Sequence, residues 1–351
     1  MNTEAEESDL EFEITETPPE EEALPLPKYE IFSYPADTTL KGYKDQWMAN
    51  QLVVPEFQRA YVWDQVRASK LIESFLLGLP VPPVFLYRAS DKKAYLIIDG
   101  HQRIRSAVDF QRGHFGDKRF TLRGVADQWN GKAFDDLDEA DKFQIETAVL
   151  RGIVIQQTNP KDNKSIYQIF ERLNTGGVRL NPMEVRNCVS YGNFLKDLRN
   201  LNVLPSWRAL LGLPKADKRF KDIELILRVL ALYFKIEQYE KPMKGFLNDF
   251  ATEMNKKEKA EYQAAIDTFR AASDNVFAAL GEKPFHLRGR LNFSVLDAVM
   301  VAAMHNPQSP DLKKKYGNLL LDEDFVNSYT YNTSDEKVLV PRIKKAIGAL
   351  A

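Results

Sequence analysis

The sequence predicts an α+β protein: a domain over residues 28–160 built on a mixed sheet, then a mainly α-helical domain over residues 161–351, behind a disordered acidic segment at residues 1–27. Three observations carry this reading. Short β-branched apolar runs alternate with stretches of helical period up to about Thr158. From Asn163 onward the apolar residues recur at three- and four-residue spacings almost throughout. The first 27 residues hold ten acidic side chains, no Lys or Arg and few large apolar groups, a composition unable to bury enough surface to fold. That segment reads either as a solubilising tail or as a polyanion mimic folding back over a basic body.

The elements follow in order. Lys28 to Pro35 is a first strand, and Thr39 to Asn50 a short helix with Trp47 and Met48 facing inward. Leu52 to Trp63 is an apolar and aromatic stretch interrupted by Gln58 and Arg59. Asp64 caps an amphipathic helix whose apolar face is Ala68, Leu71, Ile72, Phe75, Leu76 and Leu79. Pro80 to Pro83 ends it and forces an extended path into a strand at Val84 to Tyr87. Ser90 to Lys93 makes a hairpin turn, Ala94 to Ile98 returns as a strand, and a helix follows Asp99-Gly100. Gly113 to Gly131 is loop around a short strand at Arg119 to Leu122, Phe134 to Ala148 is helical, and Val149 to Gln156 is a further strand.

In the second half, Ile166, Ile169, Phe170 and Leu173 form one helix face that stops at Asn174-Thr-Gly-Gly177. Asn181-Pro182 restarts a helix with Pro at its first position and Glu184 in its first turn. Later helices cover Lys221 to Lys235, Gly245 to Met254, Lys257 to Leu280, Ser294 to Met304 and Glu336 to Ala346, and His305-Asn306 is a capping turn. The loop Lys215 to Lys221 is basic, either a solvated loop or a phosphate contact.

Composition excludes several classes. Of 351 residues 44% are hydrophobic, enough for a sizeable core, yet no apolar run is long enough to cross a bilayer and no signal-peptide pattern opens the chain, so a cytoplasmic location is expected. One cysteine, Cys188, precludes an internal disulfide framework and reads as a small buried apolar residue. The net charge of −2 conceals an asymmetry: setting aside the ten acids of residues 1–27 leaves 48 basic against 40 acidic residues. A basic body is compatible with a nucleotide or nucleic-acid partner.

The chemistry concentrates between Tyr95 and Phe110, where a buried-strand pattern gives way to a helix start at Asp99-Gly100. A helix beginning there aims backbone N–H groups and its positive dipole end at whatever occupies the turn, an arrangement suited to an anion. Arg103 adds a forked donor suited to phosphate. Asp99 is either the N-cap of a tight turn or a carboxylate able to hold a divalent cation or orient water.

Three boxes stand in order: Pro55-Glu-Phe-Gln-Arg-Ala-Tyr-Val-Trp63, Ile98-Asp-Gly-His-Gln-Arg103, and Phe170 to Asn187 with its Asn-Thr-Gly-Gly turn. Together they resemble the DGQQR-motif family of ParB/sulfiredoxin-like domains, found at the N-terminus of GmrSD-type modification-dependent restriction enzymes. The resemblance spans roughly residues 30 to 190. It implies a ParB/sulfiredoxin-like fold with nucleotide binding, and often hydrolysis, at the central box in the setting of defence against foreign DNA; the leading expectation is a protein that binds a nucleoside triphosphate, hydrolyses it with Mg²⁺ and acts on or near DNA. Transferred residue by residue, Asp99, Gly100, Gln102 and Arg103 match the family's central motif; the expected catalytic set is Asp99, His101, Gln102 and Arg103, with Asp99 positioning metal or water and Gln102 orienting the attacking water. Gln58 and Arg59 match the family's QR pair, and Asn174, Gly176 and Gly177 its NTGG turn; the expected phosphate-binding set is these five with Gly100, Arg103 and Arg172.

Two positions depart from the family pattern: His101 stands for its first Gln, and Ala60 for a frequent Pro. His101 is a proton acceptor, a charged donor to phosphate, or a polar exchange without a role. An HNH-type nuclease site needs an Asp-His pair, which the sequence lacks, so a nuclease would act as a partner in trans. Besides nucleotide and DNA, a second copy of the chain is a further possible partner. The rival classes are a non-catalytic DNA-binding or modification-sensing module and, ranked lowest, a metal-dependent DNA nuclease.

Overall fold

The computed structural model describes residues 31–54, 61, 63–88, 94–157, 167, 181–189, 192–217 and 219–351. The acidic segment, Gln58 and Arg59, the hairpin turn at Ser90 to Lys93, the Asn174 to Gly177 turn and the boundary expected at residue 160 all lie outside these residues. So does the side chain of Cys188. The backbone forms two compact units that divide between Val189 and Ser190.

The first unit is α+β. Its strands are β1 (Ile31–Thr39), β2 (Leu52–Val53), β3 (Val84–Arg88), β4 (Tyr95–Asp99), the hairpin pair β5 (His114–Phe115) and β6 (Lys118–Arg119), and β7 (Val149–Gln157). Its helices are α1 (Leu40–Met48), α2 (Gln65–Leu76), α3 (His101–Arg112), α4 (Glu139–Thr147) and α5 (Pro182–Val189). The main sheet runs β1-β7-β3-β4-β2. It is mixed, since β1 with β7 and β3 with β4 are antiparallel while β3 with β7 and β2 with β4 are parallel.

Sequence explains these choices. β4 carries Leu96, Ile97 and Ile98, all buried, the continuous apolar run of an interior strand. β1 extends to Thr39, four residues beyond the predicted end, and tolerates Pro35 because it is an edge strand whose outer N–H positions need no partner. Thr39 then caps α1, its hydroxyl accepting from the Gly42 N–H at 3.0 Å. Asp64 caps α2 as expected, accepting from the Arg67 N–H at 2.7 Å. Ala68, Leu71, Ile72 and Phe75 of α2 meet Ile104, Ala107 and Val108 of α3 in one core with Ile97 and Val84 of the sheet. At α5, Asn181 and Glu184 form a capping box: Asn181 Oδ1 accepts from the Glu184 N–H at 2.8 Å, and Glu184 Oε2 from the Asn181 N–H at 2.6 Å.

Two inward assignments fail. Met48 is 56% exposed and Leu79 is 52% exposed. Both sit where the helical period no longer applies: Met48 is the last residue of α1, and Leu79 follows Gly78, whose φ of 67° takes the chain out of the helix that ended at Leu76.

The second unit is helical: α6 (Asn193–Asn202), α7 (Pro205–Leu211), α8 (Lys221–Lys235), α9 (Met243–Met254), α10 (Lys259–Leu280), α11 (Phe293–His305), α12 (Leu312–Leu321), α13 (Glu323–Ser328) and α14 (Glu336–Leu350). The helices expected at 221–235, 245–254, 257–280, 294–304 and 336–346 all form, and Asn306 ends α11. α11 is buried from Ser294 to Met304, as its nearly uninterrupted apolar sequence requires. Two ion pairs hold this unit internally: Arg228 to the fully buried Asp297 at 2.6 Å, and Arg208 to the fully buried Asp222 at 2.7 Å. Arg208 also donates to Asn202 Oδ1 at 2.9 Å and to the carbonyls of Leu213 and Lys215, so it organises the basic loop from below.

Candidate functional site

The junction of β4 and α3 assembles the central box. Asp99 is the last residue of β4, not the helix cap. Gly100 is the N-cap, at φ 92° and ψ 11°, and having no side chain it makes no capping hydrogen bond of its own. Only glycine suits this point for two independent reasons. The left-handed backbone disfavours any Cβ, and a Cβ built here would lie 2.3 Å from Val84 Cγ1. The turn is thereby pressed against β3, and α3 starts at once.

Arg103 folds back from the first turn of α3 onto the strand end. Its NH2 group donates to Asp99 Oδ2 at 2.7 Å and to the Pro83 carbonyl at 3.1 Å. The pair is partly open to solvent, Arg103 at 18% and Asp99 at 35% side-chain exposure. Arg103 Nε is buried with no hydrogen-bond partner among the described residues. Both residues expected at an anion site are therefore present at one point, but each already neutralises the other.

His101 is buried and its ring lies parallel to Trp47, centroids 6.4 Å apart and planes 4° from coplanar. Burial, with the nearby Arg105 charge adding to it, pushes the imidazole down to about 4. The ring is neutral at pH 7, so a charged donor to phosphate does not describe it there.

Gln102 has a definite partner: its Oε1 accepts from the Trp63 N–H at 3.2 Å. One turn on, the Ser106 hydroxyl donates to the Gln102 carbonyl at 2.7 Å and lies 2.7 Å from the Tyr61 hydroxyl. Arg105 sits over the Tyr61 ring at 5.1 Å, and Arg67 over the Trp63 ring at 4.8 Å. The end of the first box thus meets the second box directly. Tyr61 and Ser106 were given no site role from sequence, and Trp47 was read only as facing inward. The signal available was a small polar Ser106 beside the apolar Ile104, Ala107 and Val108 of α3, and an aromatic pair spaced by two in the first box.

Of the other predicted phosphate-binding residues, Gln58, Arg59, Arg172, Asn174, Gly176 and Gly177 lie outside the described residues. For a metal, Asp99 is the available carboxylate at the junction, and the described residues contain no group of three or more His, Cys, Asp or Glu placed to share an ion. Asp99 would hold Mg²⁺ only together with oxygen ligands that a phosphate substrate brings, a common arrangement for this ion.

Fold and junction define a class: a mixed-sheet α+β domain with a glycine-started helix beside an Asp–Arg pair. Residues 38–190 match the family described as GmrSD restriction endonuclease, N-terminal domain, and over these residues the chain is similar to that domain. The matched segment ends where the first compact unit ends. The chain therefore carries a restriction-type domain, followed by a helical unit that this family does not cover. No curated protein matches the chain. No helix among the described residues is long and apolar enough to cross a membrane.

Proposed function

We propose that the β4–α3 junction binds the phosphates of a nucleoside triphosphate and hydrolyses it with Mg²⁺, in a protein that acts on or near DNA in restriction-type defence. The observation that carries the reading is the first turn of α3: a helix start set by a left-handed Gly100, which brings no capping side chain, and flanked by the Arg103 guanidinium. The backbone donors and the dipole favour an anion, and Arg103 supplies a second set of donors. A phosphate that takes over Arg103 releases the Asp99 carboxylate. Asp99 then orients water or meets the Mg²⁺ that travels with the nucleotide, which supplies charge neutralisation at the phosphates. Gln102 serves here by holding the first box in place. His101, neutral and basic only in acid, is a weak proton acceptor at pH 7.

A second reading has one observation in its favour. Gln102 Oε1, the atom suited to orient an attacking water, is engaged by the Trp63 backbone. The same junction then serves a non-catalytic DNA-binding or modification-sensing module, with Arg103 on a DNA phosphate and a nuclease supplied by a partner.

Phosphate release from ATP, GTP, CTP and UTP with Mg²⁺, with and without DNA, separates the two when run beside Asp99→Ala. Release lost in that variant is the expected result. No release from any triphosphate, together with DNA binding that falls steeply with salt as counterion release requires, would replace the first reading by the second.

A further inference from the structure

The contacts of residues 61 and 63 with α3 do more than pack the chain. Ser106 is fully buried and its single hydroxyl proton goes to the Gln102 carbonyl, 2.7 Å away. At the 2.7 Å contact with Tyr61 it can then only accept, so the Tyr61 phenol is the donor. The Tyr61 ring is fixed in that pose by Arg105 on its face and by Phe115, whose ring meets it edge-on at 5.6 Å. Two residues on, the Trp63 N–H donates to the Gln102 side chain. Gln102 is thus held at both ends, its carbonyl through Ser106 and its amide oxygen through Trp63, and it lies two residues past Gly100 in the turn that faces the ligand.

We propose that Tyr61, Ser106 and Gln102 form a latch that preorganises the first turn of α3, making them positioning residues for the phosphate site. This rests on the nucleotide reading above. The first turn of a helix frays readily, and a frayed turn points its donors nowhere in particular. The latch restrains the turn from 45 residues away in sequence, and its own bonds use the Gln102 carbonyl and side-chain oxygen, so they occupy none of the backbone N–H groups of the turn. Preorganisation of this kind appears in ligand affinity, because a site already ordered loses less freedom on binding.

Full-length Tyr61→Phe, Ser106→Ala and the double variant, compared with wild type, test the latch. Tyr61→Phe keeps the ring and its packing, and Ala suits a helix interior, so each variant folds. Two readouts are taken: hydrogen exchange at the Trp63 amide without ligand, and the Kd of ATP, GTP, CTP and UTP with Mg²⁺. Loss of one hydrogen bond predicts faster Trp63 exchange with the rest of α3 still protected, and about fivefold weaker nucleotide binding by Tyr61→Phe. The double variant binds no more weakly than Ser106→Ala, since both changes break the same bond. Equal Kd values in wild type and Tyr61→Phe, or multiplicative losses in the double variant, overturn the proposal. Unchanged Trp63 exchange overturns the latch itself. If wild type binds no triphosphate while Trp63 exchange still quickens in Tyr61→Phe, the nucleotide reading has failed and the latch stands.

Discussion

Gly100→Ala is the sharpest test of how the junction is built. At φ 92° the residue sits in left-handed space, where a Cβ costs about 1–2 kcal/mol. The added carbon would also approach Val84 Cγ1 to 2.3 Å, Val84 Cβ to 2.8 Å and Arg103 NH2 to 3.2 Å. Arg103 can swing aside, but Val84 is fully buried in β3 and cannot, so overpacking adds about 1–3 kcal/mol. The sum, about 2–5 kcal/mol, is a large share of the roughly 5–15 kcal/mol that holds a typical domain. Gly113→Ala provides the control. Gly113 has φ 76° but nothing within 4 Å of the position its Cβ would take, so only the backbone cost of about 1–2 kcal/mol applies. Urea unfolding followed by tryptophan fluorescence reports mainly the first unit, since Trp47, Trp63 and Trp129 lie in it and Trp207 does not. The expected result is a Gly100→Ala loss at least 1 kcal/mol beyond that of Gly113→Ala, in line with the packing term alone. Equal losses would show that β3 yields freely, and the argument that the turn is pinned against Val84 would fail.

Two further outcomes are expected from groups buried within each unit. His101 titrates at about 4 in the folded chain against 6.5 unfolded, so the unfolded state binds the extra proton first; stability falls as pH drops from about 6.5 to 4 and levels off below. His101→Gln should remove that part of the acid sensitivity, on the order of 3 kcal/mol across the window, in unfolding curves measured from pH 7 to pH 4, and a variant with the same pH slope as wild type would contradict the burial argument. In the helical unit, Asp222→Ala leaves Arg208, only 10% exposed, without its carboxylate and should cost about 3–5 kcal/mol, with faster hydrogen exchange over residues 213–222. A loss below 1 kcal/mol would mean that the carbonyls around Arg208 suffice on their own.

Much of this architecture was legible in the residue pattern. The change of period at Asp99-Gly100 marks a strand turning into a helix because the two elements demand different spacings, and neither alternative fits both sides. Helix ends were less legible. Met48 and Leu79 continue an apolar rhythm past the point where the backbone leaves the helix, and only a local φ such as that of Gly78 says where this happens. His101 shows a similar limit at the site. Beside a predicted anion the sequence leaves open a proton acceptor, a charged donor or a polar exchange without a role; in the structure the ring is buried parallel to Trp47. The Tyr61–Ser106 contact joins residues far apart in sequence, and no local spacing encodes it.

The pairing of Asp99 with Arg103 is the feature with most bearing on chemistry. Arginine and aspartate at i and i+4 across the junction were each read from sequence as meeting a ligand, one a phosphate and the other a cation or water. In the structure they meet each other. The two descriptions are compatible if the pair is an exchangeable one. Ion pairs with this much solvent access contribute about 1 kcal/mol or less, because water competes for both partners. On the nucleotide reading proposed above, a triphosphate would present several charged oxygens to the guanidinium, and displacing Asp99 would cost little. The carboxylate would then be released at the moment a phosphate arrives and only beside it. On this view the salt bridge keeps an unaccompanied carboxylate from opposing the approach of an anion, and makes the acidic function of the site conditional on the basic one being occupied.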